Sequence, residues 1–180
     1  MNNLKILPHR IKAKIGYFLF SIKELIDNKE FSFCLFKYNK MKDYIIGNHL
    51  SILYYCIEKN NLLALKILYD KIEKKIKLWY TLIDCASLNG HLHIIKWLHE
   101  NRKEGCTEDA MNFAAQNGHL EIVKFLDENR KEGCTRWAMN YASLNGHLHI
   151  IKWLHENRKE GCSTRAMDLA AENGHLHIIK

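Results

Sequence analysis

The phrase ASLNGHLHIIKWLHENRKEGC stands at residues 86–106 and again, identical, at 142–162. A looser version, AAQNGHLEIVKFLDENRKEGC, lies between them at 114–134, and AAENGHLHIIK follows at 170–180. Gly-His-Leu triplets begin at Gly90, Gly118, Gly146 and Gly174, a spacing of 28 residues each time. Self-similarity at a fixed period of this size specifies a repeat array, in which each unit buries its apolar faces against its neighbours. The identical phrases are two units of one stack, consistent with duplication of a 56-residue block.

Residues 107–134 serve as the type unit. Thr107 can accept from the free amides of a following helix, and Glu108 and Asp109 suit its positive end, so a first helix is predicted at about 108–116. Ala110, Met111, Ala114 and Ala115 give it a stripe of mostly small residues that lets neighbouring helices approach closely. Asn117-Gly118 stops it, because glycine takes the left-handed conformation of a helix end without steric cost. His119 then opens a second helix. There Leu120, Ile122, Val123, Phe125 and Leu126 are apolar on more than one side, while Glu121, Lys124 and Asp127 are expected to keep the remaining side wet. Residues 129–134 return the chain to the next unit.

Tyr55 to Leu68 aligns with Cys85 to Leu98 at an offset of 30, which predicts a degenerate unit at 49–78. Before it, Ile11, Ile15, Phe18, Leu19, Ile22, Leu25 and Ile26 fall at helical spacing, whereas 31–48 is aromatic-rich and ambiguous, so 1–48 is assigned as an amino-terminal helical cap. Clear units follow at 79–106, 107–134 and 135–162. An incomplete one, 163–180, lacks the WLHENRKEGC segment and is expected to fray or expose apolar surface, as in a fragment or an array truncated within its repeats. The fold class is all-α: a solenoid of stacked helix-turn-helix units.

Charge is unevenly spread. Residues 1–78 hold 15 Lys/Arg against 7 Asp/Glu, and 79–180 hold 12 against 13. A basic half invites a nucleic-acid or anionic-surface reading. The densest run, Lys71 to Lys77, is nevertheless interrupted by Glu73, Ile72 and Ile76, which favours a solvated helix face. GYFLFSI at 16–22 is short and runs into Lys23-Glu24 without a cleavage site, and no stretch approaches the ~18 apolar residues of a membrane span. The expected setting is intracellular, with no membrane. Cys106, Cys134 and Cys162 recur once per unit, about a repeat width apart, too far for a disulfide whose Cα atoms lie within about 7 Å. Reduced thiols are expected.

The unit AMNFAAQNGHLEIVKFL resembles the ankyrin repeat. Ala114-Ala115, Gly118-His119 and Leu120-Glu121-Ile122-Val123 match that family's pattern position by position. The resemblance is clear over 79–180 and weak over 49–78. Ala110-Met111-Asn112 replaces the family's Pro-Leu-His, and the period is 28 residues against about 33 in the family. The missing residues are expected to come from the connecting finger, leaving a plain loop in place of a β-hairpin. The phrase WLHENRKEGCT…AMNYA is similar to short repeats abundant in giant viruses of amoebae. The resemblance implies an ankyrin-type solenoid with no known enzymatic role.

Eleven histidines raise the question of metal. Ligands sharing a helix face stand three or four apart, whereas His91-Leu92-His93, with its copies at 147–149 and 175–177, is expected to point its two rings in different directions. Gly90, His91, Gly118, His119, Gly146, His147, Gly174 and His175 are read as repeat framework. His99 and His155 correspond to Asp127, and the loop holds one cysteine per unit, so no metal or cofactor is expected. Nucleophile elbows and phosphate-cradling loops are absent from the sequence, and no catalytic residue is assigned. Asp84, Asn112, Asn140 and Asp168 form a polar column expected to bond along the stack. Trp97 and Trp153 replace Phe125 in an apolar column and are read as core.

Positions that vary between units mark either weak packing selection or a partner. The first-helix start varies most: Tyr80-Thr81, Glu108-Asp109, Arg136-Trp137 and Thr164-Arg165. In ankyrin arrays this edge borders the concave surface. Trp137, whose counterparts Thr81, Asp109 and Arg165 are polar, is expected to be exposed; it is either an interface anchor or drift in a redundant repeat. The function expected is a non-enzymatic, monomeric scaffold that binds a protein, such as a host protein, through these eight residues. The alternatives are a nucleic-acid or anionic-surface binder using residues 1–78, and an adaptor docking host machinery through 1–48.

Overall fold

The computed structural model describes residues 49–72, 81–101 and 105–179. Two compact units divide between Leu78 and Trp79. Within the first, α1 (His49–Glu58) and α2 (Leu62–Ile72) form a helical hairpin. Leu53, Cys56, Ile57, Leu65 and Leu68 supply its buried side chains. The cap expected over 1–48 lies outside the described residues, as does 73–78.

The second unit holds four further hairpins. They are α3 (Thr81–Leu88) with α4 (Leu92–Asn101), α5 (Asp109–Gln116) with α6 (Leu120–Asn129), α7 (Arg136–Leu144) with α8 (Leu148–Asn157), and α9 (Arg165–Glu172) with α10 (Leu176–Ile179). Among the described residues there is no strand, and residues 130–135 and 158–163, which join successive hairpins, are plain loops. The fold is an all-α repeat stack.

The first helices α3, α5, α7 and α9 pack successively on one another. Small residues permit this: Ala110, Ala114, Ala138, Ala142, Ala166 and Ala170 are all buried, and helices with such contacts approach to roughly 8 Å between axes. Ser87 and Ser143, also buried, donate their hydroxyls to Ile83 O and Met139 O at 2.8 Å, so serine substitutes there for the alanine of other units without an unmet polar group. The second helices contribute larger side chains, with Ile94, Ile95 and Leu98 in α4 and Ile122, Val123 and Leu126 in α6 buried. Each is worth about 1.5–3 kcal/mol of transfer free energy. Phe125 and Trp153 are only half-buried, so the aromatic column read as core lies at the margin of the stack.

Every hairpin turns in the same way. The amides of His91, His119, His147 and His175 donate to Ala86, Ala114, Ala142 and Ala170, five residues back. The preceding glycine amides donate three residues back, closing the two-bond cap that ends a helix in the left-handed conformation. Gly118 and Gly146 both have φ +81°. In the worn hairpin Asn60 takes the glycine position at φ 53°, and Asn61 takes the histidine position, capping α2 by accepting from Ala64 N at 3.0 Å.

Candidate interaction edge

Three ladders run along the second unit, and the polar column holds the starts of α5 and α7 in place. The innermost is the polar column. Asp84 accepts from Thr107 N at 3.0 Å and from its hydroxyl at 2.8 Å, and Asn112 accepts from Thr135 N at 3.1 Å. Asn140 accepts from Ser163 N at 3.2 Å while its amide donates to Ser163 Oγ at 3.0 Å. All three side chains are buried. Bonding along the stack is thus observed, and its recipient is the residue that opens the next first helix. Burial pushes the Asp84 carboxyl up from its ordinary value against the two Thr107 donors that lower it. Asp168, at the same register in α9, is exposed.

The threonines pass this order onward. Thr107 Oγ1 accepts from Asp109 N at 3.1 Å, and Thr135 Oγ1 accepts from Trp137 N at 3.2 Å. The predicted cap at Thr107 therefore operates. For α5 and α7 the column fixes where the first helix begins, and hence where its first two side chains emerge.

The histidine ladder corrects an expectation. The rings of each His-Leu-His do not diverge; they lie 6.4, 5.9 and 5.8 Å apart at 91/93, 147/149 and 175/177. In the last hairpin both reach back to the same turn, His175 Nε2 to Leu144 O at 3.0 Å and His177 Nε2 to Gly146 O at 3.1 Å. The i, i+2 pair can do this because the first residue is still non-helical, as at His147 with φ −85° and ψ 66°. Burial lowers the pKa of His147, with a further contribution from nearby His149; the carbonyl of Gln116 opposes it. The rings also sit over the preceding glycine: a Cβ on Gly118 would lie 2.9 Å from His147 Cε1. Among the described residues, no group of three or more His, Cys, Asp or Glu is placed to hold a metal ion.

The third ladder, missed in the sequence, lies in the loops. Arg130 Nη2 donates to Glu132 at 2.5 Å, and Glu132 accepts from Cys106 N at 3.1 Å, tying one unit to the previous. One repeat on, Arg158 pairs with Glu160 and donates to Asp127 at 2.7 Å. Asp127, expected to face only water, is an inter-repeat acceptor. Burial disfavours the Glu132 carboxylate, but the Arg130 guanidinium and backbone donors outweigh it and hold the carboxyl at about 2. Burial and the neighbouring carboxylates push the Cys106 and Cys134 thiols up to about 12 and about 11. These two and Cys162 are free thiols. The Arg-x-Glu spacing within NRKEGC was the available signal.

On the edge so positioned, Glu108, Asp109, Arg136, Thr164 and Arg165 are all exposed. Trp137 is 42% exposed and stacks on Tyr141, with ring centroids 5.3 Å apart and planes inclined at 23°. Tyr80 and the side chain of Thr81 lie outside the described residues. Phe113, Tyr141 and Leu169, one turn further along successive first helices, are half-buried and form a column that sequence reading did not single out.

A family model for ankyrin repeats in three copies matches residues 53–136, 82–165 and 111–180, well over half of the chain. The chain belongs to the ankyrin-repeat family. No curated protein matches it significantly. Ankyrin repeats are in general protein–protein interaction modules, and proteins built from them are typically non-enzymatic. The degenerate hairpin at 49–72 falls largely within the first matched span, and no described helix is long and apolar enough to cross a membrane.

Proposed function

We propose that this ankyrin array is a non-enzymatic scaffold that binds another protein through the edge carrying Glu108, Asp109, Arg136, Trp137, Thr164 and Arg165, with Tyr80 and Thr81 continuing it. Trp137 carries the reading. It leaves 42% of a large apolar side chain in water, stacked on a second aromatic, where the other units place a polar residue. Rigid, half-exposed tryptophan beside arginine is the composition of interface anchors. On this reading the protein acts as a monomer inside a cell, on a host protein if the similarity of its repeats to those of amoeba-infecting viruses extends to its origin.

The test is capture from host-cell lysate at low and moderate salt, with intact protein and Trp137→Ala side by side. A protein retained by the first and lost by the second, with affinity reduced by about 2 kcal/mol or more, is the expected result. Nucleic acid held equally by both and released by salt would instead move the function to the basic residues 1–78.

A further inference from the structure

The charges on the edge are ordered. Glu108 and Asp109 open α5; Arg136 occupies the register of Glu108 one repeat on, and Arg165 that of Asp109 two repeats on. Several charges of the second unit are paired: Lys124 with Glu121, Arg130 with Glu132, Arg158 with Asp127 and Glu160. Among the described residues Glu108, Arg136 and Arg165 make no ion pair, and the Asp109 carboxylate accepts only from Asn112 Nδ2, at 3.4 Å. Arg165 has the exposed carboxylates Asp168 and Glu172 on its own helix, so the positive pole rests on Arg136. Beside the positive pole stands Trp137, stacked on Tyr141, and one turn further along the two helices lie Phe113 and Tyr141.

Resting on the edge as the binding surface, we propose that its partner is an extended protein segment of matching polarity. It presents a lysine or arginine to Glu108–Asp109, a carboxylate to Arg136, and an apolar side chain to Trp137 and Tyr141. The spacing follows from the stack. Successive first helices stand roughly 8–10 Å apart, and an extended chain rises about 3.3 Å per residue. The two charges on the partner are therefore about three residues apart. Exposed opposite charges at fixed separation select and orient a partner, and a reversed segment meets like charge at both ends.

The experiment is selection of a displayed random-peptide library on the full chain. Synthetic peptides matching the enriched sequences are then titrated into intact protein, Trp137→Ala, and the charge-swapped Glu108→Arg/Arg136→Glu variant, each checked for unchanged helix content. The expected result is enrichment of a basic and an acidic residue about three positions apart, with an apolar residue beside the acidic one. Binding to the swapped variant should fall at least about tenfold and recover when the peptide's two charges are exchanged. Peptides that depend on Trp137 but ignore the charge swap would overturn the polarity and leave the edge standing. Peptides indifferent to both changes would overturn the edge as well.

Discussion

Gly118 and Gly174 separate two demands that fall on the same kind of residue. Both have left-handed backbone, φ +81° and +73°, but a Cβ on Gly118 would lie 2.9 Å from His147 Cε1 while one on Gly174 would meet nothing within 4 Å. The conformation alone costs an L-residue about 1–2 kcal/mol, and Asn60 tolerates it at φ 53°. Displacing a packed ring adds about 1–3 kcal/mol. Gly118→Ala is therefore expected to cost about 2–5 kcal/mol and Gly174→Ala only the first part, about 1–2 kcal/mol, compared by urea midpoints. Equal losses would mean that the imidazole gives way freely. At this scale the sequence was informative for framework and not for contact: spacing marked Gly118 and His147 as constant, but only packing shows that one unit's histidine covers the other unit's glycine.

The helices were legible because the repeats write their own boundaries: a threonine or serine before the first helix in the three units from 107 onward, Asn-Gly after it, and apolar residues at helical spacing between. The loops were not, since Asn-Arg-Lys-Glu-Gly-Cys reads as solvated turn until Arg158 is seen against Asp127 of the preceding unit. Arg158 also lies over Gly133 and lines, with Glu160, Gly161 and Cys134 itself, one small crevice. A buried thiol held up at about 11 is scarcely ionised at neutral pH, and the thiolate is the reactive form. Cys162, at the same register in the next unit, is exposed. A thiol reagent at neutral pH should consume Cys162 quickly and Cys134 slowly, and in Arg158→Ala the Cys134 rate should rise. The same variant should lose about 1–2 kcal/mol of stability, because it removes charge-assisted bonds that are partly shielded from water. An unchanged Cys134 rate would show that the loop ladder is not its cover.

A stack of near-neighbour contacts responds to pH as the sum of its ladders, and the histidine and loop ladders act in different windows. His147 is held below its ordinary 6.5 by burial first, and by His149, His119 and His175 around it, against the Gln116 carbonyl. Its neutral form is the one the stack favours, so its contribution is fully present above pH 6.5 and is lost as pH falls through the depressed folded value. Glu132 behaves likewise one window lower: its contribution is present above 4.5 and is lost between 4.5 and about 2. Asp84 has the opposite sign, since its raised pKa makes the protonated form the better-tolerated one, and acid relieves that cost. Urea midpoints of the full chain should thus hold steady above neutrality, begin to fall below pH 6.5, and fall again below 4.5. His147→Gln should flatten the first step alone, and Glu132→Gln should reduce the second alone. If His147→Gln left the first step intact, the acid sensitivity would belong to the other turn histidines or to the first hairpin. If both steps vanished together, the array would be unfolding as one block, and the picture of independent ladders would have to be given up.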